Sequence, residues 1–137
     1  MPISELMNRT DALKARTKDF AIRIFHLVEA LPKSLQGRAV ANQIIRSGTS
    51  VAANYRAACR ARSKREFIAR LGTMEDEADE SAFWLELIID GRLLPEKLIT
   101  PLLEESSELV AIAAASKKTA ASRLFQSQIA NRKSQIP

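Results

Sequence analysis

Glycine, proline, cysteine, histidine and aromatic side chains are all scarce in this chain, and each scarcity removes a class of protein. The single cysteine, Cys59, rules out an internal disulfide framework, so stability has to come from a packed core. Cys59 sits in the small-residue run Ala57-Ala58-Cys59, where packing against another helix is the expected role. The one histidine, His26, has no glutamate three residues before it, so the Glu-x-x-His pairs of di-iron bundles have no starting point; it is expected at the edge of the core. With one Cys, one His and no glycine-bearing nucleophile elbow, no nucleophile-base constellation is written in the chain. The four glycines form neither a G-x-G-x-x-G nor a Walker-type loop. No catalytic residue, no metal ligand and no cofactor are therefore expected.

Long apolar runs are missing too. No stretch approaches about 18 uncharged apolar residues, and the amino-terminal MPISELMNRTDALK has no apolar segment leading to a cleavage signal. A cytoplasmic protein without a membrane partner is expected. Aromatic residues make up 5% of the chain and are not interleaved with cations, which argues against sequence-specific recognition of single strands by base stacking.

What the chain does have is charge, sorted by sign. Six basic side chains fall between Arg56 and Arg70, followed by seven acidic ones between Glu75 and Asp90. The balance of 21 Lys and Arg against 16 Asp and Glu gives +5 and a pI near 9.7, which suits a polyanionic partner. The acidic group Glu75, Asp76, Glu77, Asp79 and Glu80 lacks the histidines a bundle metal site uses and reads as a solvated or interfacial face.

An apolar fraction of 46%, rich in Ala, Leu and Ile, together with many Arg, Lys and Glu, favours helix. Apolar positions recur at helical spacing over about 4–31, 35–62, 64–90 and 96–125, giving four amphipathic segments. Pro32 to Gly37 and Gly91 to Pro95 mark two of the turns, and Ser63 with Glu66 forms an S-x-x-E capping box that marks the third. Four such segments with short connections predict an all-α, antiparallel up-down-up-down four-helix bundle over residues 1–125. Residues 126–137 lack periodicity and are expected to form a loose basic tail. Ser47-Gly48-Thr49-Ser50 predicts a kink or a close helix approach, and Pro101 either kinks the fourth helix or opens it with Thr100 as its cap.

Phe83, Trp84, Leu87 and Ile88 add a second apolar face to the third segment, which predicts a homo-oligomer interface there. Trp84 is either an anchor of that interface or a peripheral core residue. Arg56, Arg60, Arg62, Lys64 and Arg65 flank the turn marked by the capping box, so a tight turn gathers them at one end of the bundle. Lys117 and Lys118, with Arg123, Arg132 and Lys133, are expected to return to that same pole. RNA or DNA backbone is the expected ligand, read by charge instead of by base. The alternative is that the basic block meets an acidic partner or the acidic block of a neighbouring subunit.

The segment QIIRSGTSVAANYRAACRARSKREFIARLGTMEDEADESAFWLELI, with FAIRIFHLVEALP before it, resembles the 23S rRNA intervening sequence protein family over residues 15–120. The resemblance implies a small bacterial four-helix bundle that assembles as a ring-like homopentamer, with no catalytic residues to transfer. That family is similar in turn to the accessory variability protein of diversity-generating retroelements, which implies nucleic acid or a reverse transcriptase as a partner.

Overall fold

The computed structural model describes residues 2–135 as four helices joined by short turns: α1 (Ile3–Ala30), α2 (Leu35–Cys59), α3 (Lys64–Asp90) and α4 (Glu96–Ser134). Each turn has a local cause. Pro32 forces Leu31 into an extended conformation, with ψ at 144°, and so ends α1. Ser34 then caps α2 by accepting a hydrogen bond from the Gly37 amide at 3.1 Å. Gly37 has to be glycine, because a Cβ there would lie 1.9 Å from the Pro32 carbonyl oxygen.

Between α2 and α3 the capping box forms with a small shift. Ser63 Oγ accepts from the Glu66 amide at 3.1 Å, while Glu66 Oε2 accepts from the amide of Arg62, one residue before the cap, at 2.8 Å. At the end of α3 the amides of Arg92 and Leu93 donate to Ile89 and Ile88, the crossed pattern of a Schellman motif. Its left-handed position is taken by Arg92 (φ 57°) and not by Gly91 (φ −79°).

Side-chain pairings show that consecutive helices run antiparallel and lie side by side. Gly48 faces Ile24, Ser47 meets Ser81, and Ser106 bonds the carbonyl of Ala78. In each case the contact lies well back from the short turn that joins the two helices, as up-down connections require. Phe20, Ile24, Ile44, Val51, Leu71, Met74, Leu85, Ile88, Ile99 and Leu109 are fully or almost fully buried and form one core from all four helices.

A seam of small polar residues draws α2, α3 and α4 together inside that core. Ser81 Oγ donates to Ser47 Oγ at 2.8 Å, and Ser106 Oγ donates to the Ala78 carbonyl at 2.6 Å, so these hydroxyls are satisfied although buried. The interrupted stretch Ser47–Ser50 therefore resolves as a close approach within a continuous α2.

Two element ends differ from expectation. α2 stops at Cys59, because Arg60 leaves helical geometry and the turn to Ser63 needs the intervening residues. α4 opens at Glu96 behind Pro95, passes through Pro101 and continues to Ser134, so the tail expected from residue 126 is helical as far as it is described. No proline or glycine interrupts residues 102–134, and Arg, Leu, Gln, Ala and Lys sustain a helix without an apolar stripe. Residue 136 and Pro137 lie outside the described residues.

Candidate nucleic-acid interface

The turn from α2 to α3 presents the basic residues that the sequence singled out. Arg56 lies in the last turn of α2, Arg60 is its C-cap, and Lys64 and Arg65 open α3. All of these and Arg62 are exposed. Among the described residues none of the five makes an ion pair, whereas Arg9, Arg16, Arg46 and Lys117 each have an acidic partner.

Packing adds two cations that lay far away in sequence. Lys14 and Lys18 on α1 line a hollow of about 360 Å3 with Ala52, Ala53, Arg56 and Arg60 of α2. A second hollow of about 440 Å3 lies on the other side of the same arginines, between Ala53, Arg56, Ala57, Arg60, Arg62 and Glu66. Arg56 and Arg60 thus stand as a ridge between two depressions. The signal for Lys14 and Lys18 was an i,i+4 pair on the polar face of α1, but only the antiparallel register with α2 says what it faces.

Lys117 and Lys118 do not join this cluster. Lys117 Nζ donates to Glu75 Oε1 at 2.9 Å, and its Cδ is the nearest atom to Gly72, eight residues into α3. That places it about 12 Å along the helix from the turn. Lys118 is exposed at the same level of α4. The register brings Arg123 about 9 Å nearer to the basic turn than Lys117. Lys117 is drawn aside because the first member of the acidic block lies directly across from it.

Two more members of the acidic block are tied down in a similar way. Arg46 on α2 bonds Glu80 at 2.6 Å and reaches Glu77 at 3.7 Å. Glu77 Oε2 is buried with no hydrogen-bond partner among the described residues, and burial pushes this carboxyl above the usual glutamate range, with Arg46 opposing the effect and Glu80 and Asp76 adding to it. Among the described residues no group of three or more His, Cys, Asp or Glu side chains could hold a metal ion. His26 is exposed instead of lying at the core edge, and Cys59 packs against the core as expected.

Between Lys14 and Lys18 in the middle of α1, Arg16 forks across to α4 and donates to both carboxylate oxygens of Glu105, at 2.7 and 2.6 Å, and to Glu108. The hydrogen bonds from Arg16 hold the Glu105 carboxyl below its usual range against the opposing effect of burial. Tyr55 is buried, which raises its phenol, so this ring next to Arg56 is not available for stacking.

The expected oligomer face is divided by the structure. Phe83 is 52% exposed and Leu87 is exposed beside it. Trp84 is half-buried against the core, edge-on to Phe83 with ring centroids 5.0 Å apart, and its Nε1 donates to Glu80 at 3.4 Å. Ile88 is fully buried, because it continues the Ser81–Leu85 stripe at steps of four and three and so faces inward. It belongs to the core and not to an outer face. No described helix is long and apolar enough to cross a membrane.

No protein of curated function matches the chain. It is similar to a protein of unknown function from the S23 ribosomal protein family of Bacteroides thetaiotaomicron, with 31% identity and a TM-score of 0.74, over 80% of this chain and 97% of that one. The family model for the 23S rRNA-intervening sequence protein matches residues 12–115, which is the greater part of the bundle. With that match and that relative in agreement, this four-helix bundle belongs to the 23S rRNA-intervening sequence protein family.

Proposed function

We propose that the protein is a non-enzymatic bundle that binds RNA or DNA backbones through the α2–α3 turn, with Arg56, Arg60, Arg62, Lys64 and Arg65 as phosphate contacts. The observation that carries this reading is clustering: five exposed cations are gathered at one turn, and none of them has an acidic partner among the described residues. Exposed, unneutralised cations gathered at one end favour a polyanion by counterion release, which is independent of base sequence. Lys117 and Lys118 contribute to the field around this end without touching the same phosphates.

The bundle acts as a homo-oligomer in this reading, a pentamer as the family resemblance implies, formed through Phe83, Trp84 and Leu87. Repetition of the basic turn around such an assembly multiplies weak phosphate contacts by avidity. The compartment is the cytoplasm. The exposed pair Phe83 and Leu87 also favours a second reading, an interaction scaffold whose partner is a protein such as a reverse transcriptase and whose cations do not touch nucleic acid.

Gel shift with a structured RNA at about 50 mM salt, repeated at rising salt, decides between them. The backbone-binding reading expects a shift that weakens steeply with salt. In the Arg60→Glu/Arg65→Glu variant the slope of log K against log salt falls by about 2, one for each lost phosphate contact. Absence of any shift at low salt, or an unchanged slope in the variant, would reject backbone binding and leave the scaffold.

A further inference from the structure

The groove between α1 and α2 narrows the ligand further, and this step rests on the backbone-binding reading above. We infer that Lys14 and Lys18 on one rim and Arg56 and Arg60 on the other clasp one phosphate ridge of a double-stranded nucleic acid, seated over Ala52 and Ala53.

Spacing is the first reason. Each rim carries its cations at i and i+4, which separates them by about 6 Å along the helix axis. That is close to the separation of successive phosphates along one strand. Ile24 beside Gly48 fixes the antiparallel register, which sets Lys14 level with residue 58 and Lys18 level with residue 54, so each lysine stands about 3 Å along the axis from Arg60 or Arg56, an offset that these long side chains span. Two successive phosphates can therefore each meet one lysine and one arginine.

Relief is the second. Alanines 52 and 53 keep the floor low, so a convex ridge can settle between the rims, and the second hollow beyond Arg56 and Arg60 lets the flanking backbone continue toward Arg62. Glu66 borders that second hollow, but its carboxylate is turned to the Arg62 amide. Asp11 and Asp19, the acids nearest Lys14 and Lys18 on α1, make no ion pair with either.

The third reason separates duplex from single strand. Single-strand binders add stacking of bases on aromatic rings to a basic groove, at about 1–3 kcal/mol per base. No aromatic side chain lines either hollow, and the neighbouring Tyr55 is buried. A single strand would leave its unstacked bases without a surface here, whereas a duplex keeps them stacked internally and offers only its backbone.

Fluorescence anisotropy on the full chain tests this with a labelled short duplex and with each of its separate strands, in RNA and in DNA versions. The duplex is expected to bind at least about tenfold more tightly than either strand, and the RNA and DNA arms report whether the sugar matters. Lys14→Glu/Lys18→Glu is expected to lower the duplex salt slope by about 2. Ala53→Leu fills the floor with a good helix former at an exposed position, so it is expected to weaken duplex binding several-fold without changing charge or melting temperature. Binding of strands and duplex with equal affinity, or wild-type duplex binding by both variants, would overturn the inference while leaving backbone binding intact. Absence of binding to every probe would overturn both.

Discussion

Alanine at Gly72 and alanine at Gly48 are the same chemical change in two neighbouring helices, and they are expected to act with opposite sign. In a helix interior the exchange of glycine for alanine is worth about 1 kcal/mol, through backbone entropy lost on folding. At Gly72 nothing opposes it: the nearest atom to the new Cβ is Lys117 Cδ at 3.9 Å, an ordinary contact. At Gly48 the new Cβ would lie 3.0, 3.4 and 3.5 Å from Cγ1, Cγ2 and Cβ of Ile24. Ile24 is fully buried and branched at Cβ, so it has no alternative rotamer to retreat into, and α1 itself must move. Overpacking of this kind costs about 1–3 kcal/mol, which leaves a net loss of about 1 kcal/mol. A chain of this length changes its midpoint by about 3–4 °C per kcal/mol, so the two variants should melt about 7 °C apart. Thermal denaturation followed by circular dichroism measures this directly. If Gly48→Ala stabilises as much as Gly72→Ala, the close approach of α1 to α2 is wrong, and with it the register that aligns the two rims of the basic groove.

Two partly buried carboxylates should give opposite pH signatures. Burial raises the Glu77 carboxyl, so its ionised form costs stability once pH rises past about 4.3, the ordinary glutamate value. Glu77→Gln should therefore stabilise the fold by about 1 kcal/mol at neutral pH and by nothing in acid, as read from urea unfolding at both. Glu105 is lowered by Arg16, so its contribution is present above about pH 4.3 and is lost as pH falls through its depressed folded value. Glu105→Gln should cost about 1 kcal/mol at neutral pH, moderated because Arg16 is more than a third exposed, and that cost should fade in acid; a pH-independent difference would refute the pairing.

The helices were legible because their signals are local. Pro32, Ser34, the Ser63–Glu66 box and Pro95 each act within a turn of themselves, and the apolar spacing needs no knowledge of what lies across from it. The features that escaped all depend on a partner helix. Ile88 read as part of an outer face because the apolar stripe of α3 is wide, and only the position of α2 and α4 decides which edge of that stripe is covered. Lys117 read as a free cation because Glu75 stands 42 residues earlier. For the same reason Lys14 and Lys18 were not singled out, since the arginines across from them lie some 40 residues on in sequence. The end of α4 failed differently: an exposed helix needs only good formers, and periodicity is silent about it.

Helix dipoles distinguish the cations of the basic turn from one another. Arg56 and Arg60 close α2, where positive charge is favourable by about 0.3–1 kcal/mol, so the stability of the helix alone would account for them. Lys64 and Arg65 open α3, where the same charge is unfavourable by a similar amount, and Ser63 and Glu66 already satisfy the amides that a cap can reach. The helix dipole gives no reason for that second pair, which the proposed phosphate contact would supply. The consequence bears on the reversal used to test backbone binding. Glutamate at position 60 sets a negative charge on a helix C-terminus, and glutamate at position 65 sets one on an N-terminus, so the two dipole effects oppose each other. Because both side chains are exposed and neither has an ion pair to lose, the double variant should melt close to the wild type, and any loss of nucleic-acid affinity in it reports on contacts instead of on folding.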